Sequence, residues 1–332
     1  SIIKSSGNYS TLILDNSGGT ISRISISNIG IFADAGDKTA GGSIEATGSL
    51  ISCSFTNIYI RHFYDAFVFV GCAKLYMTNI SYDQFGRTVS TDGRYGFNCS
   101  STSTAMADWH MVNIQGSGFE TGAGHNINSH FFLRKFDGLY LVNSHFFYGT
   151  TTLHIDPADG ESCASLLCSN TYFDTIRLQH VLVSASTGST LKSWGFEGCT
   201  FRNAEEGSSI RLLNTDILDG LRVEGGTIRS NFGSGILQSL SGSNLTGLIV
   251  SGVTFEDNNS DNQTIGGDIV IRGDSSVVTG NTFSGGGTAG RCVYFLSTGD
   301  NNIAAVNNFT ESTCTVTTLD SGTGNLFANN LG

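Results

Sequence analysis

One short phrase returns down this chain. FEGCTFRN at residues 196–203 is followed by VEGGTIRS, VSGVTFED and VTGNTFSG, with the same order of apolar, small and Thr-apolar residues. A fixed period limits the fold more than composition does, because each repeat must be one structural unit. With the Asn or Gly of the phrase as position zero, copies fall at Asn28, Asn57, Asn79, Gly116, Asn143, Asn170, Gly198, Gly225, Gly252 and Gly280. Weaker copies fall at Val306 and Ala328. From Gly116 onward the steps are 27, 27, 28, 27, 27, 28 and 26 residues. Earlier steps vary, and residues 86–108 read as an insertion.

Each copy is strand-like. Positions −4 and −2 are apolar (Leu139 and Leu141, Trp194 and Phe196, Leu248 and Val250), as is position +3 (Phe146, Phe173, Phe201, Phe255). Alternation of period two on both sides of a turn residue predicts two short strands. A third run follows, as in TLHID, HVLVS and CVYFL. Three short strands per repeat, with no leucine lattice and no long blade, predict an all-β chain wound as a right-handed parallel β-helix. About twelve coils of roughly 27 residues, stacked at about 4.8 Å, share one continuous core. Residues 1–332 read as one such domain. The chain opens SIIKSSGNYS without Met, so a processed form or a piece of a longer chain is expected.

Composition agrees with this architecture and excludes others. A single Pro among 332 residues fits interior strands that need every N–H. Charged residues are 14% and the net charge is −11, which argues against a nucleic-acid partner. No apolar run is long enough for a spanning helix, so membrane insertion is not expected. Eight cysteines include no CxxC, and several occupy apolar positions (Cys53, Cys168, Cys199), as buried thiols do. Neither a metal site nor a cofactor is expected. The histidines at 110, 125, 130, 145 and 154 match no ligand spacing. DWH at 108–110 and DPADGE at 156–161 read as solvated loops or loop edges, with a groove lining as the alternative.

Chemistry is sought in outward positions that change from coil to coil. With +1 and +3 inward, +2 and +4 face solvent. In the middle coils these columns hold Glu120, His145, Phe147, Tyr172, Asp174 and Arg202. Aromatics stack on sugar rings, and paired carboxylates do acid–base work. Glu120 and Asp174, two coils apart, are expected at a spacing near that of an inverting glycosidase. The plainer alternative is an ion-pair ladder of Asp174, Arg202, Arg229 and Glu256. A second outward column, at −1 and −3, holds Glu197 and Glu224 on adjacent coils beside Arg222. A carboxylate pair about 5 Å apart suits a retaining glycosidase. Tyr140, Val142, Leu167 and Ile249 share that face and predict a covered surface, either a subunit contact or a loop.

Copies such as FTNIYIRHFYDAFVFVG and FEGCTFRNAEEGSSIRLLN resemble coils of the pectate-lyase-like right-handed β-helix superfamily, and within it the bacteriophage tailspike and tail-fibre depolymerases. The resemblance covers most of the chain. It implies a homotrimer, in a virion tail or extracellular, that recognises a host and cleaves bacterial surface polysaccharide. No catalytic motif of that group transfers residue by residue. The calcium-lyase constellation is not evident, and NTD at 214–216 is followed by no DD. Three functions stay open. They are a hydrolase using Glu120 and Asp174 or Glu197 and Glu224, with His145, Phe147, Tyr172, Arg202 and Arg222 binding substrate; a polysaccharide lyase using Tyr, His or Arg; and a non-catalytic glycan-binding β-helix.

Overall fold

The computed structural model describes all residues except 6–9, 17–18, 34–40, 85–94, 101–105, 119, 122–123, 126, 185–187, 214–216, 239–243, 262–265, 286–290, 297–299 and 314–315. All but two of its strands join into one parallel sheet wound as a β-helix, and the described residues contain no helix. The chain climbs three walls. The first wall runs through strands preceding position zero, such as Phe136–Val142, Ser162–Ser169, Thr190–Glu197 and Ile217–Glu224. The second wall follows position zero, through the first halves of His145–Ile155 and Tyr172–Ser184 to Thr200–Ala204 and Thr227–Arg229. The third wall begins at Leu12–Leu14, Gly42–Ala46, Asp65–Phe69, Tyr95–Cys99 and Ser129–Leu133. It continues through the second halves of His145–Ile155 and Tyr172–Ser184. It ends with Ile210–Leu213, Ile236–Gln238, Gly267–Ile271, Arg291–Phe295 and Val316–Asp320. Tyr95–Cys99 thus pairs as a rung inside the stretch read as an insertion.

Register turns the repeat into columns. The −2 residues Phe55, Met77, Met111, Leu141, Cys168, Phe196, Val223 and Val250 face each other rung by rung, all buried. On the second wall the +3 residues do the same, and Phe173 stacks on Phe201 at 4.7 Å and 3° between planes. Phe67, Phe97 and Phe131 stack on the third wall at 4.8 and 4.6 Å. Each ring covers its neighbour above and below, so no coil buries its apolar face alone. Cys53, Cys72, Cys99, Cys163, Cys168, Cys199 and Cys292 are buried free thiols, and Cys314 lies outside the described residues.

The corner at position zero is left-handed, as the Asn and Gly pattern requires: φ is 58° at Asn28, 54° at Asn57, 51° at Asn143 and 60° at Gly198. Two corners differ from the sequence reading. In the fourth occurrence of the motif the corner is Asn113 (φ 57°), not Gly116, and near the end it is Asn329 (φ 52°), not Ala328. Gly116 is an inward position paired with Tyr82 and Phe146. A Cβ there would lie 2.5 Å from the Tyr82 hydroxyl and 2.6 Å from His130 Nδ1, which explains the glycine. The 27-residue step from Gly116 to Asn143 was therefore coincidental. The true step starts at Asn113 and is longer because a hairpin, Glu120–Thr121 with Gly124–His125, is spliced into that coil.

Asparagine side chains bridge rungs in two places. Outside, Asn57, Asn79 and Asn113 each donate to the Asn before them at 2.9, 3.0 and 3.0 Å. Inside, at position +1, Asn281 donates to Asn307 at 3.0 Å and Asn307 to Asn330 at 3.1 Å. The inner set also donates to the backbone carbonyls of Val250, Val278 and Ala304, so buried amides end with partners.

Candidate functional site

The second wall gathers five of the expected substrate-side residues into one patch. His145 and Tyr172 are register partners, as are Phe147 and Asp174, and Asp174 and Arg202. The His145 ring meets Tyr172 edge-on at 5.0 Å and lies 4.9 Å from Phe147. Arg202 Nη1 donates to the Tyr172 hydroxyl at 3.4 Å, and its Nε is 3.9 Å from Asp174 Oδ1. Thr175 Oγ1 donates to the same oxygen at 3.0 Å. Burial lowers the His145 pKa below its ordinary value against the opposing pull of Asp174, so the ring is neutral at pH 7. Two rungs on, Arg229 pairs with Glu256 at 3.8 Å. The ion-pair alternative for Asp174, Arg202, Arg229 and Glu256 is thus present as two separate pairs.

Glu120 does not join this patch by register. With the corner at Asn113, the +2 and +4 residues are Gln115 and Ser117, which pair with His145 and Phe147. Glu120 belongs to the hairpin, whose second strand lies against His145–Ile155 and Tyr172–Ser184. The expected spacing of two rungs between Glu120 and Asp174 therefore does not hold, because Glu120 has left the coil.

The first wall builds a groove. Glu197 and Glu224 are register partners, as are Gly195 and Arg222, and Leu167 and Gly195. Because Gly195 carries no side chain, the sheet surface is recessed there. A cavity of about 420 Å³ opens, lined by Tyr140, Leu167, Gly195, Glu197 and Arg222 among others. Parallel strands set the two Glu backbones about 4.8 Å apart with both side chains on one face, within reach of the roughly 5–5.5 Å at which retaining glycosidases hold their two carboxyls. Above the groove the same outward column continues as an aromatic row. Tyr76 stacks on His110 at 5.3 Å and 12°, and His110 on Tyr140 at 4.9 Å and 16°. Tyr76 is 48% exposed.

Sequence reasoning missed this row. DWH at 108–110 read as a loop, whereas it lies in the strand Met106–Ser117: Asp108 forms a left-handed bend, Trp109 is buried and His110 points out. The signal was available as Tyr76, His110 and Tyr140 at position −3, once the corner is set at Asn113. DPADGE does line a shallow cavity, with Arg134, Asp156, Pro157, Ala158 and Asp159. The five clustered histidines separate onto different parts of the coil. His110 is on the first wall, His125 in the hairpin and His145 on the second wall. His130 is buried against the Tyr82 hydroxyl at 3.1 Å, and His154 is on the third wall, 3.1 Å from Ser184 Oγ.

No family model matches the sequence, and no curated protein is similar to it. Among solved structures, a double mutant of the tailspike protein of E. coli bacteriophage HK620 matches with a TM-score of 0.54 at 10% identity, covering 98% of this chain and 74% of that one. The fold is tailspike-like. The catalytic domain of a GH87 alpha-1,3-glucanase in complex with nigerose aligns with a TM-score of 0.28 at 10% identity, over 99% of this chain and 60% of that one, too loosely to carry an argument.

Proposed function

We propose that this protein is a tailspike-like depolymerase that binds and cleaves bacterial surface polysaccharide by glycoside hydrolysis, with its reacting carboxylates on the first wall. The observation that carries the proposal is Glu197 at a groove that runs into a row of stacked rings, with Glu224 its register partner on the next rung. Sugar faces pack on Tyr76, His110 and Tyr140, and Arg222 receives hydroxyl or carboxylate oxygens. One Glu attacks the anomeric carbon as the other protonates the departing glycosidic oxygen. Water, deprotonated by the second Glu, then hydrolyses the glycosyl ester and restores both carboxyls. Host recognition, a place in a virion tail or outside the cell, and a homotrimer belong to the same proposal.

The test is incubation with capsules, O-antigens and exopolysaccharides from a host panel, reading reducing ends and ultraviolet absorbance together. Reducing ends without absorbance, lost at least a hundredfold in Glu197→Gln and Glu224→Gln, are the expected result. Wild-type turnover in both variants would move the site to the second wall, where Asp174→Asn is the corresponding change. A second reading has its own support: neutral His145, Tyr172 and Arg202 in contact form a base, an acid and an anion clamp of the kind a polysaccharide lyase needs. That reading requires an absorbing unsaturated product. Binding with no new ends would leave a glycan receptor without catalysis.

A further inference from the structure

A second cavity, of about 380 Å³, opens on the third wall, away from both patches described above. Arg211, Leu237 and Val270 occupy successive rungs there, in register and lining the cavity, with Val270 fully covered. Arg272 follows Val270 at the same parity, and its backbone N–H, with that of Gly273, donates to Gln238 Oε1 at 2.8 Å. Arg211 and Arg272 line the cavity together with Phe232, which is 42% exposed. Among the described residues neither arginine makes an ion pair, and the Nε of each is shielded from solvent without a hydrogen-bond partner. Two carboxylates, Glu206 and Asp261, also line the cavity. Glu206 is held by Arg177 at 3.1 Å, and Asp261 makes contacts of its own.

Two guanidinium groups that make no ion pair among the described residues, set in a chain of net charge −11, offer an anion site in an otherwise acidic surface. The guanidinium fork matches a carboxylate in geometry, and an exposed phenyl ring offers a face to a pyranose. The volume lies in the range of small-ligand pockets. We infer that this cavity binds an acidic sugar residue, a uronic or ulosonic acid, through Arg211 and Arg272 with its ring on Phe232. The ligand class rests on the glycan-binding reading above. The site itself is separate from the Glu197 and Glu224 groove, so it would anchor an acidic polymer rather than cut it.

Saturation-transfer NMR on the full chain tests this, with D-glucuronate, D-galacturonate and N-acetylneuraminate as acidic probes and D-glucose and D-galactose as neutral ones. At least one acidic sugar is expected to show transfer that weakens with salt and falls at least fivefold in Arg211→Ala and in Arg272→Ala, while the neutral sugars show none. Lys4→Ala, an exposed cation in the strand Ile2–Ser5 and outside every patch described, serves as the control and should keep the signal. Circular dichroism of each variant confirms the fold, and Arg211→Gln and Arg272→Gln replace any variant that fails it. The inference is overturned if no acidic sugar binds, if neutral sugars bind equally, or if the signal survives both arginine substitutions. Because the readout is binding of monosaccharides, it is independent of cleavage: depolymerase activity can fail while this site holds, and the reverse.

Discussion

At Asp65 burial and charge oppose one another. Its carboxylate accepts from the Tyr95 N–H and from Asn98 Nδ2, each at 2.9 Å, yet burial outweighs these donors and pushes its pKa up to about 7. The unfolded chain gives up this proton near 3.8 and the folded one near 7, so between those values the native state holds more protons. Stability from this group therefore falls as pH rises through that window, by up to about 4 kcal/mol. Asp65→Asn keeps the shape and removes the carboxylate, and its amide oxygen can still accept from the Tyr95 N–H or Asn98 Nδ2. Thermal melts at pH 5 and pH 8 are expected to differ less in the variant than in the wild type, mainly through a gain at pH 8. His180 acts in the opposite sense. It is buried, its Nε2–H donates to the Arg202 carbonyl at 3.0 Å, and its pKa is lowered to about 3. Its stabilisation is complete above the ordinary histidine value and is lost as pH falls toward 3.

Among elements, the corners and ladders carry the coil. Beside the corner at position zero, a second left-handed column runs at −5 through Arg23, Ser52, Lys74, Asp108, Ser165 and Ser193, and a third at +5 includes His62, Tyr148, Thr175, Asn203 and Ser230. No residue type unites those columns, so the sequence pattern does not display them; the rung above and below imposes the bend. The inner asparagine ladder shows what one side chain does between coils. Asn307 accepts from the Asn281 backbone and side-chain N–H groups and donates to Val278 and Asn330. Asn307→Ala leaves several buried groups without partners and should cost about 2–4 kcal/mol in urea unfolding, with the m-value unchanged. Gly195 is a different kind of position. An added Cβ would meet only the tip of Leu167, at 3.1 Å, so the backbone tolerates a side chain. Gly195→Val should fill the first-wall groove and cut depolymerisation at least tenfold, while the melting temperature stays within a few degrees. A wild-type rate in that variant would remove the groove from the reaction.

For the whole molecule, the first wall is the surface on which the proposed trimer would close. Below the groove its outward column turns apolar through Ile249, Val277, Ile303 and Leu326, with Ile303 38% and Leu326 52% exposed. Exposed apolar rows of that length are covered in stable assemblies. Light scattering is expected to give three times the chain mass, and Ile303→Asp with Leu326→Asp should shift it toward one. A wild-type monomer would refute the trimer. With the proposed groove and the proposed assembly face on one wall, cleavage would fall close to a subunit boundary, whereas the arginine cavity sits on the third wall.

The repeat alone determined the fold class, the inward columns and the left-handed corners, because a stacked coil needs the same apolar and turn residues at the same place every time. Glu197, Glu224, Arg222, His145, Tyr172 and Arg202 were legible as outward residues that break the repeat. Only the tertiary structure decided which of them share a surface. Three residues of phase, Asn113 against Gly116, removed Glu120 from the second wall and put His110 beside Tyr76 and Tyr140 on the first. The recess at Gly195 and the cavity between Arg211 and Arg272 were likewise invisible in the chain. Each depends on which side chains stand on neighbouring rungs, about 27 residues away in sequence and about 4.8 Å away in space.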